Sequence, residues 1–140
     1  MALPGTLIGL ILAVLYYQPS LRRGHWRLRD GCIECIPSRT IIGGKSVGAQ
    51  TWGHIIFYRD ERMMEWADLN VHERVHVVQS MVLTWPVFAA LYSLHFLAAF
   101  AVNIRGGWHA AYRRIWAERH AYDVQRRFSA GKLPSAWGKR

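Results

Sequence analysis

Cysteine is almost missing from this chain: Cys32 and Cys35, in Cys32-Ile33-Glu34-Cys35, are the only two. Nothing in so sparse a set suggests a disulfide-stapled secreted domain, and a lone C-x-x-C lacks the second half of a structural zinc site. The pair reads as two small apolar residues in a strand, with a reducing compartment as the default. Acidic residues are scarce too, 9 against 18 Lys and Arg, giving a formal net charge of +9. That balance suits nucleic acid, anionic lipid or the cytoplasmic face of a bilayer. Lysine supplies only three of the basic residues, and the arginines are scattered from Arg22 to Arg140 rather than gathered in a block. No nucleic-acid motif accompanies them, so a nucleic-acid partner is not expected.

Charge is absent altogether from two stretches, Ala2 to Tyr17 and Met81 to Ile104. The first is close to the minimum length of a membrane span and is followed by Arg22, Arg23, Arg27 and Arg29. As an anchor it would hold the adjoining domain on the cytoplasmic side; as a helix packed on the domain it would leave the protein cytoplasmic. A cleaved signal peptide fits less well, because no basic residue precedes the run and no small-x-small pattern comes after it. The second stretch, 24 residues closed by Arg105, has the length and hydropathy of a transmembrane helix, although Pro86 and His95 interrupt it.

With 140 residues there is room for one core. The expected organisation is an apolar N-terminal helix over 1–20, one domain over 21–130 and a basic tail over 131–140. The fold class is α+β, a small N-terminal β-hairpin or sheet packed on a helical bundle. His25 to Ile36 reads as the hairpin, with Asp30-Gly31 as a two-residue turn. That turn sets Leu28 opposite Ile33, Trp26 opposite Cys35, and Arg27 opposite Glu34. Pro37 and Gly43-Gly44 punctuate the chain around Thr40-Ile41-Ile42, and Gln50 to Tyr58 forms a second strand region. Asp60 is the N-cap of a helix from Glu61 to Thr84, which has neither Pro nor Gly and is stopped or kinked by Pro86. Trp108 to Phe128 reads as a last helix with a basic exterior.

The middle helix carries His72-Glu73-Arg74-Val75-His76. Side chains four apart lie one turn above each other, so both imidazoles can aim at one metal ion while Glu73 polarises water beside it. His72, His76 and Gln79 share one face, and Val71, Val75, Val78 and Val82 share another. A helix that merely happens to carry two histidines is the plain alternative. A catalytic zinc takes a third protein ligand. The chain beyond His76 offers Glu118, His95, His109, His120 and Asp123, of which Glu118 is favoured because Ile115, Trp116 and Ala121 suggest a packed helix around it.

The run His72-Glu73-Arg74-Val75-His76-Val77-Val78-Gln79 resembles the HExxHxxQ pattern of small, largely uncharacterised bacterial proteins of the zincin metallopeptidase superfamily. Thr51-Trp52-Gly53-His54-Ile55-Ile56 before it, and Tyr112 with Trp116-Ala117-Glu118-Arg119-His120-Ala121-Tyr122 after it, extend the similarity over about Gln50 to Tyr122. Arg74 departs from the apolar or small residue usual at its position. The resemblance implies a gluzincin arrangement, with Zn²⁺ held by His72, His76 and Glu118. Glu73 would then be the base that takes a proton from water and passes it to a leaving amine. Gln79 would support the site, and His54, His109, Tyr112 and His120 are candidates for stabilising the oxyanion.

The expected partner is a peptide or protein substrate, paired as an extended strand to the Gln50–Tyr58 sheet edge. The alternative is a membrane-associated structural or interaction protein with a non-catalytic or incidental metal site. Topology links the two readings. A single membrane crossing by Met81 to Ile104 would separate His72 and His76 from Glu118. A shared ion therefore requires the chain to turn back after Pro86 and pack on the motif helix.

Overall fold

A computed structural model describes residues 3–17, 25–42, 44–102 and 107–133. Helix α1 (Leu3–Leu12) continues as a π-turn over Ala13–Tyr17 and leads to strands β1 (Trp26–Arg29) and β2 (Cys32–Cys35). A short 3-10 turn, Gly44–Ser46, precedes β3 (Ala49–Trp52) and β4 (Ile55–Tyr58). Beyond the sheet come α2 (Glu61–Glu65), α3 (Ala67–Val82), α4 (Trp85–Val102), α5 (Gly107–Tyr112) and α6 (Trp116–Ser129). The class is α+β, with α1 on one face of the sheet, α3 on the other, and α4 packed against both α1 and α3. Most of the basic tail lies outside the described residues.

The first hairpin has the register set by its charges: Arg27 opposite Glu34, Leu28 opposite Ile33 and Trp26 opposite Cys35. Asp30 and Gly31, with φ of 49° and 76°, supply the left-handed turn that the right-handed strand twist favours. Strand order is β1-β2-β4-β3, with β2 and β4 parallel and the other pairs antiparallel. The Gln50–Tyr58 region is thus two strands, folded at Gly53-His54. Gly53 has φ of 62°, and any Cβ there would lie 2.3 Å from the backbone nitrogen of Thr6 in α1.

Because strand side chains alternate, the sheet carries two cores. Cys32, Ile56, Tyr58, Met64 and Val77 fill the one towards α3, and Ala13, Cys35, Ile41, Ile55 and Phe57 the one towards α1. Cys32 and Cys35 therefore point to opposite faces and cannot pair or share a metal. Burial pushes the Cys35 thiol up to about 12, which keeps it neutral and inert.

The expected helix from Glu61 to Thr84 is split. Asp60 caps its start, accepting from Met63 N–H at 2.9 Å. At the break near Trp66, the Met64 carbonyl accepts from the Asn70 amide at 2.9 Å and from Arg27 at 2.6 Å, ending α2. Val71 and Val75 are buried as expected, but Val78 and Val82 are exposed, 50 % and 76 %; the sheet packs instead on the side of α3 that carries Asn70, Glu73 and Val77. Thr84, with φ of 62°, turns the chain into α4, where Pro86 occupies the first turn and needs no donor. The expected helix from Trp108 to Phe128 is likewise two, α5 and α6, broken at Arg113–Ile115.

Arg74 has a structural reason to stand inside the motif. It reaches back over the sheet to Glu34, at 3.1 Å, and to Asp30, while Arg27 grips Glu34 from β1. Glu34 is fully buried, so its charge depends on these two guanidinium groups. The network pins α3 to the first hairpin between the two motif histidines. Glu34→Ala leaves Arg27 and Arg74 without their central partner, and should lower unfolding free energy by about 3 kcal/mol in urea denaturation.

Candidate metal centre

Helices α3 and α6 pack along each other and bring His72, His76 and Glu118 into one buried group, although Glu118 is more than forty positions along the chain. The imidazole Nε2 atoms of His72 and His76 lie 3.2 Å apart. Glu118 Oε2 is 3.2 Å from His72 Nε2, and Glu118 Oε1 is 3.3 Å from His76 Nε2. Three donors bound to one tetrahedral zinc at about 2.0–2.1 Å would be separated by about 3.3–3.4 Å. Each pair is spaced as two ligands of one zinc would be, although the two carboxylate contacts are made by different oxygens of Glu118, and the group can hold a metal ion.

The outer hydrogen bonds aim the ring nitrogens inward. The Gln79 amide nitrogen is 3.2 Å from the Ala117 carbonyl, which can only accept, so the amide oxygen must face His76. That oxygen is 2.9 Å from His76 Nδ1, which must therefore carry the proton and donate. The Gln125 amide oxygen lies 3.2 Å from His72 Nδ1 and accepts from it when the proton sits on that nitrogen. Both Nε2 lone pairs are left facing each other and a carboxylate. Glu118 Oε2, deeply buried, has no hydrogen-bond donor among the described residues. Such a cluster of acceptors needs a cation at its middle.

Comparison with protein-family models, curated proteins and solved structures found no match.

The electrostatics point the same way. Burial pulls the His76 imidazolium down, but Glu118, joined by Glu73, reverses this and raises it to about 9. Burial alone would raise the Glu118 carboxyl, yet the two histidines hold it far below the carboxylate range. A proton on His76 Nε2 can therefore fill the cation's place, and a metal must displace it.

Glu73, 5 % exposed, sits on the side of α3 that faces β3. Its Oε2 accepts from the Thr51 hydroxyl at 2.7 Å. On the other side Tyr92, from α4, donates to Glu118 Oε1 at 2.8 Å. Tyr112, by the same carboxylate, is kept neutral by burial and by the Glu118 charge, which both raise its phenol. The Tyr122 ring packs edge-on against His72, centroids 4.5 Å apart.

The remaining expected site residues divide. Gln79 and Tyr112 adjoin the triad, and His120 touches it only through Gln79, its Nδ1 3.1 Å from the amide nitrogen. His54 is engaged elsewhere: its Nδ1 and backbone N–H both bond Thr6 Oγ1, tying the β3–β4 turn to α1. The side chain of His109, on α5, lies outside the described residues. Among the other possible third ligands, His95 accepts the Trp116 N–H at 3.0 Å and so caps α6 from α4. Asp123 pairs with Arg126 and Arg127.

Thr51, Tyr92, Tyr122 and Gln125 were not expected. Tyr92 and His95, three apart in an otherwise apolar run, were the available signal, since polar groups in such a helix face the protein. Gln79→Leu removes the bond that fixes His76 while keeping the side chain's bulk. It should weaken metal affinity by roughly 10–100-fold in a competitive chelator titration.

Proposed function

We propose that the protein is a zinc-dependent metallopeptidase of gluzincin type, with His72, His76 and Glu118 as ligands and Glu73 as base. The observation that supports the reading is the convergence of His72 Nε2, His76 Nε2 and the Glu118 carboxylate, in contact at 3.2, 3.2 and 3.3 Å in a buried group. Two imidazoles and one carboxylate suit zinc and leave a tetrahedral position for the reaction. When bound, the zinc supplies the Lewis acidity that makes water nucleophilic at neutral pH.

The chain's own residues do the rest. Thr51 holds one oxygen of Glu73, so the carboxylate is oriented to take a proton from water as its oxygen attacks the carbonyl carbon. Glu73 then passes that proton to the amine nitrogen as the carbon–nitrogen bond breaks. Tyr112, kept protonated by its surroundings, is the donor we assign to the developing oxyanion. Strand β3 forms one edge of the sheet and packs against α3, so an extended peptide paired to it would pass beside Glu73.

The test is to incubate full-length, zinc-loaded protein with a mixed peptide library and read new termini by mass spectrometry. Discrete cleavages that vanish on chelation support the reading, and an unchanged library defeats it. One observation favours the rival, a non-catalytic metal site in a structural or interaction protein: all three ligands are buried, 1–7 % exposed, as closed structural sites are. On that reading the unchanged library is accompanied by full zinc binding.

A further inference from the structure

Helices α1 and α4 are inside out for a protein surrounded by water. On α1 and the π-turn that continues it, the small residues Gly5, Gly9 and Ala13 face the protein, whereas Leu7, Ile11 and Val14 are 48–70 % exposed. Gly5 lies so close to the Trp85 ring that it leaves no room for a larger residue, and at Gly9 a Cβ would sit tightly, 3.0 Å from the Trp52 carbonyl. On α4 only 11 % of the residues are buried. Apart from Ser93, its polar members turn inward: Tyr92 bonds Glu118 and His95 caps α6, flanked on that side by Phe88 and Ala99. Val87, Leu94 and Leu97 project from the opposite side, 48–64 % exposed.

We infer that the outer faces of α1 and α4 dock in one leaflet of a lipid bilayer, leaving the sheet, the metal centre and α6 on the aqueous side. Polar groups inward and bulky apolar ones outward, with small residues where helices pack, is the pattern lipid selects. A second protein fits this face poorly. Protein interfaces carry about one hydrogen bond per 100–200 Å², and apart from the Ser93 hydroxyl the exposed side of α4 offers no polar group. Charge agrees with lipid: neither helix has a charged residue, while Arg22, Arg23 and Arg105 come after them in sequence and the chain carries +9, complementary to anionic headgroups. Spanning is ruled out by what adjoins the middle of α4. There the helix meets the N-terminus of α6 and Glu118, and α6 exposes Arg119, Arg126 and Arg127. A crossing would drag those charges into hydrocarbon, whereas in-plane docking leaves them in water. The inference stands independently of peptidase activity.

Flotation of the full-length protein with phosphatidylcholine–phosphatidylglycerol vesicles tests it. The protein should float, and remain bound in high salt. The pairs Leu94→Glu with Leu97→Glu, and Leu7→Glu with Val14→Glu, should each cut the bound fraction roughly tenfold or more while retaining wild-type circular dichroism. A polarity-sensitive dye on Leu97→Cys should shift to the blue with vesicles, and should be quenched more by lipids labelled near the headgroup than by lipids labelled at the bilayer centre. Protein left in the lipid-free fractions, release by salt alone, or unchanged flotation of both folded variants overturns the inference. So does a soluble dimer that these substitutions dissociate, and strongest quenching at the centre overturns the one-leaflet placement.

Discussion

Glu73→Gln should lower kcat/KM for peptide hydrolysis by about 10²–10⁴-fold while leaving zinc affinity within a few-fold of wild type. The amide preserves the size of the side chain and can still accept from the Thr51 hydroxyl, which is 2.7 Å from Oε2. What it loses is the capacity to take a proton. Because Glu73 is not among the three clustered ligand atoms, metal content and activity should separate in this variant. Paired measurements of kcat/KM and bound zinc check it. Equal activity in the variant would remove Glu73 from the chemistry, and joint loss of zinc and activity would make it a ligand or a structural support.

The second large effect is on stability. A cation that binds only the folded arrangement adds about 4 kcal/mol when present at a thousand times its dissociation constant. At a few degrees per kcal/mol for a domain of this size, saturating zinc should raise the melting temperature by roughly 10 °C over chelator-treated protein. The cause would be specific: a bound zinc would take the place of a proton among two buried imidazoles and a carboxylate oxygen that has no donor among the described residues. Glu118→Ala should abolish the response, since the remaining histidines offer only two ligands. Calorimetry with and without zinc on both proteins decides it, and an equal response in the variant would place the stabilising ion elsewhere.

What was legible in the residues was what local chemistry controls. Asp30-Gly31 dictates a tight turn, and the Arg27–Glu34 pair fixes the register across it. Asp60 caps the helix it precedes. The four-residue spacing of His72 and His76 puts both rings on one side of α3 wherever α3 lies. Glu118 was recoverable because a carboxylate among Ile115, Trp116 and Ala121 needs a partner, and Ile115 and Ala121 are indeed buried with it.

Long-range contacts hid the rest. The break at Trp66 depends on Arg27 and Asn70 both claiming the Met64 carbonyl, and Arg27 is 37 positions away. His54 and His95 carry the right functional group, but Thr6 and the Trp116 N–H engage them. Arg74, odd for its motif position, makes sense only once Glu34 is seen buried beneath it. Valine at 78 and 82 obeys the helical period of a core face, yet the sheet packs on another side of α3, the one that carries Asn70, Glu73 and Val77.

Zinc counted per chain, by elemental analysis of full-length protein and of its His72→Ala and Glu118→Ala variants, tests the metal centre most directly. One zinc per wild-type chain, lost from both variants while each keeps its helical circular dichroism, is the predicted result. A wild-type chain that takes up no zinc, or variants that hold it as tightly as wild type, would contradict a shared site at His72, His76 and Glu118.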